Sequence, residues 1–167
     1  MERLYAPWRR AFVESAAGAR GESCFLCEAP ASGDDARALI LFRSARVFVI
    51  MNLFPYNSGH LLVAPYAHTG DFAALDRETS AELMRVLQLC VRALDREYAP
   101  RGYNLGMNLG NVAGAGVPDH LHAHVVPRWQ GDANFMPVVG ETKVLPETLD
   151  QTYARLRPQF QKLEEEA

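Results

Sequence analysis

The chain has 167 residues, 49 % hydrophobic and 22 % charged, the balance of a soluble globular protein able to build one core without staples. Its net charge of −3 gives no basic field for a nucleic-acid duplex, and no apolar run reaches the length of a membrane span. Three cysteines do not make a disulfide framework, and residues 1–10 lack the apolar stretch of a secretory signal, so a single cytoplasmic domain is expected.

Residues 1–20 carry Tyr5, Pro7, Trp8, Phe12 and Val13, expected to pack on the body of the domain. Cys24-Phe25-Leu26-Cys27 follows, and Ala31–Asp35 reads as a loop. Leu39–Phe42 and Val47–Met51 are β-like runs on either side of Arg43–Arg46, which predicts a hairpin. Pro55–Gly59 reads as a turn and His60–Pro65 as a third strand. Asp76–Tyr98 is the clearest helix, because Leu83, Val86, Leu87, Cys90 and Leu94 recur at three- and four-residue steps. Its cap is either Asp76 or Thr79, the latter in capping-box spacing with Glu82. Pro100-Arg101-Gly102 ends it. Tyr103–Asn108 is a fourth strand, Gly110–Gly116 a glycine-rich loop, and His120–Pro127 a fifth strand. Pro146–Leu163 reads as a helix interrupted near Pro158, with Glu164–Glu166 as a solvated end. Five strands around one long helix predict an α+β domain with an antiparallel sheet.

The fifth strand carries the chemistry. His120, His122 and His124 alternate with Leu121, Ala123 and Val125, so a strand would turn three imidazoles to one face and anchor the other in a core. Such a row can ligate a metal, or it can supply a neutral ring nitrogen that attacks phosphorus. The preceding small-residue loop would let backbone N–H groups approach a phosphate closely, with Asn108 and Arg128 as flanking donors, Arg128 equally reading as an ordinary surface charge. Cys24 and Cys27 fit zinc, a redox pair or plain packing. Two thiolates need two further ligands to close a tetrahedral site, and His68 and His120 are the candidates. Cys90, on the helix's apolar face, reads as a packing residue.

These motifs together resemble the histidine triad family of nucleotide-binding proteins. Residues 120–126 match its His-φ-His-φ-His-φ-φ signature, φ being apolar, and Pro55–Pro65 resembles its Pro-x-x-x-Gly-His-φ-φ-φ-x-Pro segment. Cys24 and Cys27 resemble the N-terminal pair of zinc-binding members. The resemblance covers residues 24–130 and leaves 131–167 as a C-terminal extension. It implies a HIT-like fold, a five-stranded antiparallel sheet with one long helix and a C-terminal helix. It also implies a homodimer whose sheets join across the two-fold, and a covalent nucleotidyl-histidine intermediate.

By the match His122 would be the nucleophile, His124 would bond the phosphate and assist the leaving group, and His120 and His60 would order the site. Asn52 would contact the ribose and Phe48–Leu53 would line the base pocket. Cys24, Cys27, His68 and His120 would hold a structural zinc ion. One departure is Gly116, where many dinucleotide-polyphosphate hydrolases of the family carry glutamine. Residues 113–116 and 127–135 look more like the bacterial diadenosine tetraphosphate phosphorylase branch, which uses inorganic phosphate as acceptor. In that branch Asn108, Gly114, Ala115, Gly116 and Trp129 would lie near the phosphates and the distal nucleotide. The alternatives are a hydrolase of dinucleoside polyphosphates or nucleoside phosphoramidates, and a noncatalytic nucleotide- or zinc-binding module.

Overall fold

The computed structural model describes residues 24–132 and 145–166. The N-terminal aromatic segment and residues 133–135 of the phosphorylase-like continuation lie outside them. Two short helices, α1 (Phe25–Ala31) and α2 (Asp35–Ala38), come first, followed by strands β1 (Ile40–Arg43), β2 (Val47–Met51) and β3 (Leu61–Pro65). Helix α3 (Arg77–Tyr98), strand β4 (Gly102–Met107), a 3-10 turn at Asn111–Ala113, strand β5 (Ala123–Arg128) and helix α4 (Leu149–Glu165) complete the order. The strands form one sheet in the order β1-β2-β3-β5-β4, with every neighbouring pair antiparallel.

Alternation gives the sheet two unlike faces. Met51, Leu61, Val63, Ala123 and Val125 share a core with Leu83, Val86, Cys90 and Leu94 of α3 and Leu156 and Phe160 of α4. Ile40, Phe48, Ile50, Leu62 and Ala64 face the other way and pack with Leu26 of α1. Paired residues of an antiparallel ladder share a face, so the register Gly106↔His124, His124↔Leu62, Leu62↔Ile50 and Ile50↔Ile40 places His124 in this second row.

Several sequence boundaries move. The fifth strand begins at Ala123, so His120 and His122 lie in its lead-in and only His124 belongs to the ladder. The lead-in is held by Leu121 N–H donating to the Thr69 carbonyl at 2.7 Å. Helices α1 and α2, which flank the expected loop at 31–35, are too short to show a repeating apolar pattern. Asp76 caps α3 by accepting from Thr79 N–H at 2.8 Å, while Glu82 accepts from Arg46 N–H at 2.7 Å. Helix α4 runs through Pro158 without the expected interruption. Buried Leu156, Phe160 and Leu163 on both sides of the proline offset its missing hydrogen bond, a loss of about 3 kcal/mol in an exposed helix.

The β2–β3 connection, residues 52–60, positions the site. Gly59 has φ +78°, and a Cβ there would come within 2.9 Å of Leu94 Cδ2. Glycine lets the turn press against α3. Asn57 fastens the same loop to β5 by donating to the Pro127 carbonyl at 2.9 Å.

Candidate active site

His122 is buried, and its Nδ1 lies 2.8 Å from the His120 carbonyl oxygen. A carbonyl only accepts, so the bond assigns the proton to Nδ1 and leaves a lone pair on Nε2. That nitrogen has no hydrogen-bond partner among the described residues. Burial lowers the pKa of His122 and outweighs the carbonyl bond, which acts in the opposite direction, so the neutral ring is favoured at pH 7. An unprotonated, unpartnered imidazole nitrogen of this kind can act as a nucleophile.

His124 and His60 form a directed pair. Tyr56 N–H donates to His60 Nδ1 at 3.1 Å, and Asn52 Nδ2 lies 3.3 Å from the same nitrogen. The Asn52 amide is oriented because its Oδ1 accepts from Phe54 N–H at 2.9 Å. With Nδ1 accepting, His60 carries its proton on Nε2 and donates it to His124 Nδ1 at 2.9 Å. His124 then bears its own proton on Nε2, a donor with no partner among the described residues. Burial pushes His60 down to about 3 and His124 to about 4, and neighbouring imidazoles add to both shifts. Both rings are neutral at pH 7. The ring centroids of His122 and His124 are 5.1 Å apart, so the ring that keeps a lone pair and the ring that keeps an N–H donor are neighbours.

The third histidine of the motif turns elsewhere. His120 Nε2 donates to the Pro65 carbonyl at 2.8 Å, which leaves the Nδ1 lone pair 3.3 Å from Cys24 Sγ and 3.5 Å from Cys27 Sγ. His68 Nδ1 lies 3.3 Å from Cys27 Sγ, and all four ligand atoms fall within 4.8 Å of one another. Tetrahedral zinc with ordinary bond lengths sets sulfur and nitrogen about 3.6 Å apart, so this soft Cys2His2 donor set fits that ion. The Pro65 carbonyl is the kind of outer partner that fixes a ligating imidazole. The same residue therefore faces both sites, with its ring in the cluster and its carbonyl holding His122.

The remaining expected residues are placed unevenly. Asn108 follows β4 and reaches the Gly114 carbonyl at 3.4 Å. Gly114 closes the 3-10 turn at φ +85°, Ala115 is buried, and Gly116 is half-buried. The loop leaves from Met107, the partner of Ala123, and returns at His120, so both its ends adjoin the histidines. Trp129 packs edge-on against Tyr98 with centroids 6.3 Å apart. Arg128, expected as a phosphate donor, has its guanidinium occupied by Asp132 (2.6 and 2.7 Å) and Asn104 (3.0 Å). Phe48 and Ile50 sit in the second row, whereas Leu53 is exposed. Tyr56, whose ring lies over His60, is a site residue the motif reading passed over, because an aromatic in a turn carries no spacing signal. Asp132, four residues after Arg128, does carry one.

An antiparallel sheet that lines imidazoles along one end, beside a Cys/His cluster, defines a histidine-centred α+β domain. The family model described as "HIT domain" matches residues 34–131, and the chain belongs to this family. It is 38 % identical over 158 residues to the AP-4-A phosphorylase of Mycobacterium tuberculosis, covering 91 % of this chain and 80 % of that protein. It is 30 % identical over 92 residues to a bis(5'-adenosyl)-triphosphatase of Saccharomyces cerevisiae, covering 54 % and 44 % of the two chains. Among solved structures, a zinc-bound histidine triad family protein from Mycobacterium smegmatis superposes with a TM-score of 0.70 at 27 % identity, over 87 % of this chain and 98 % of that one.

Proposed function

We propose that this protein is a nucleotidyltransferase that cleaves dinucleoside polyphosphates, diadenosine tetraphosphate first among them, by phosphorolysis. The observation that carries the reading is the bond from His122 Nδ1 to the His120 carbonyl, which leaves Nε2 as a buried, unprotonated nucleophile. Nε2 attacks the α-phosphorus, the phosphorus–oxygen bond to the departing nucleoside triphosphate breaks, and a nucleotidyl-His122 adduct remains. An oxygen of inorganic phosphate then attacks the same phosphorus, breaks the phosphorus–nitrogen bond and releases a nucleoside diphosphate. Two easier displacements replace one difficult displacement. His124 Nε2–H donates to the oxygens that gain charge, and His60 holds it in that tautomer.

In this reading the row formed by Ile50 and Leu62 beside His124 receives the base, and Asn52 at its end meets the ribose. The loop containing Asn108, Gly114, Ala115 and Gly116 takes the phosphates, and Trp129 the distal nucleotide. Phosphate as acceptor is supported by the phosphorylase relative, which matches nearly the whole chain, whereas the triphosphatase relative matches about half. A structural zinc ion held by Cys24, Cys27, His68 and His120 would tie α1 to the lead-in of β5. Four protein ligands leave no open position, so its contribution is rigidity. The β4 edge exposes Leu105 and is the surface through which two copies would pair, as a homodimer in the cytoplasm. Among the described residues no helix is long and apolar enough to cross a membrane.

The deciding experiment mixes enzyme, diadenosine tetraphosphate and phosphate, and follows products and intact protein mass. We expect ADP and ATP in equal amounts, and an AMP adduct that vanishes in His122→Gly. Turnover that is unchanged without phosphate identifies a hydrolase instead. Nucleotide binding with neither product nor adduct identifies a noncatalytic module.

A further inference from the structure

Tyr56 touches the His60–His124 pair twice. Its peptide N–H is the donor to His60 Nδ1, and its ring lies 4.6 Å from the His60 ring and 6.2 Å from the His124 ring, nearly parallel to the latter at 14°. Tyr56 is 47 % exposed, His60 is 1 % exposed and His124 is half-buried, so the phenol ring stands between the His60 imidazole and solvent and flanks His124. The loop cannot easily place another residue there. Asn57, next in sequence, is bonded to the Pro127 carbonyl, and Gly59 is wedged against Leu94.

We propose that Tyr56 is a positioning residue for the phosphoryl chemistry, its peptide selecting the His60 tautomer and its ring covering the pair so that His124 presents an N–H to substrate. The inference rests on the function proposed above and deepens it. Two neutral imidazoles in series conserve direction only while both stay unprotonated. A proton on His124 Nδ1 would face the His60 Nε2–H, break the 2.9 Å bond and release both rings. Desolvation is the largest influence keeping the two rings neutral, and the aromatic cover is part of what excludes water. Among the described residues, the titratable groups facing the pair are His122, the Tyr56 phenol and the two rings themselves; Asn52 adds a neutral amide.

The test compares wild type with Tyr56→Ala, Tyr56→Leu and Tyr56→Phe in two measurements. In steady-state kinetics, Ala lowers kcat about tenfold or more with KM within about threefold, as expected for a misdirected donor. Phe, which keeps the ring, recovers most of the loss, and Leu falls between. In nitrogen-detected NMR of the histidine rings, wild-type His60 and His124 stay neutral from pH 7 to 5, whereas in the Ala variant they take up protons within that range. A raised KM at unchanged kcat makes Tyr56 a substrate platform and overturns the proposal, as does an unaltered ring titration in a folded Ala variant. If the proteins fold but none forms an adduct, the proposed function fails while the NMR result still decides the role of Tyr56.

Discussion

His120 and His122 stand two residues apart and have opposite chemistry. His122 gives its Nδ1 proton to a carbonyl and keeps Nε2 available, whereas His120 gives its Nε2 proton to a carbonyl and keeps Nδ1. The first imidazole lies against the His124 ring, and the second faces two thiols. Residue type is shared, so the difference lies in which backbone carbonyl each ring meets. A carbonyl partner chooses the tautomer, and the tautomer chooses which ring nitrogen keeps its lone pair: Nε2 in His122 and Nδ1 in His120.

The strongest way to break this contrast is His122→Gly, expected to lower turnover by about 10³-fold or more and to abolish the adduct, measured by product release and protein mass. If His120→Gly gives the same loss with no change in metal content, the two rings are not divided as described. Cys27→Ser, or zinc removal by chelation, acts on the other half. We expect about one zinc per chain in wild type and a loss of about 3–5 kcal/mol without it, seen as a Tm lower by roughly 10 °C.

His60→Ala sharpens the comparison, because it removes the partner that orients His124 while leaving His122 bonded to its carbonyl. Turnover should fall about 10²-fold while the adduct still forms, in a single-turnover mass experiment.

Acid acts on the same pair. The folded-state values of His60 and His124 lie below the unfolded value of about 6.5, so their neutral burial contributes fully above that pH and is lost as pH falls toward 4. The urea midpoint should be lower at pH 5 than at pH 7, reflecting a stability loss on the order of 2 kcal/mol for each ring. An equal midpoint removes the buried neutral pair. The smallest effect belongs to a residue outside both clusters. Thr148→Ala deletes the side-chain half of the capping box of α4, should cost about 1 kcal/mol in urea denaturation, and should leave turnover and zinc content unchanged.

The parts of the fold that obeyed simple periodicity were legible in the chain. The α3 stripe from Leu83 to Leu94, the β1–β2 hairpin and the order of five strands around one long helix follow from apolar spacing and turn residues, which act locally. The Cys/His set was legible through the family resemblance, whose four matching positions all hold ligand-type residues, and these four meet within 4.8 Å. Helices α1 and α2 were not, being shorter than the window in which a period shows. The uninterrupted α4 was not, because proline's local penalty is outweighed by a core built from distant residues.

Sequence by itself determined that this protein has one row of imidazoles with apolar residues between them, and that four soft ligands are available to a metal. Only the tertiary structure decided that the row divides at His122, that Tyr56 covers its far end, and that Arg128 is occupied by Asp132. Those outcomes depend on which carbonyl, ring or carboxylate stands within about 3 Å of a given nitrogen, and hydrogen-bond direction at that range is set by chain segments far apart in sequence.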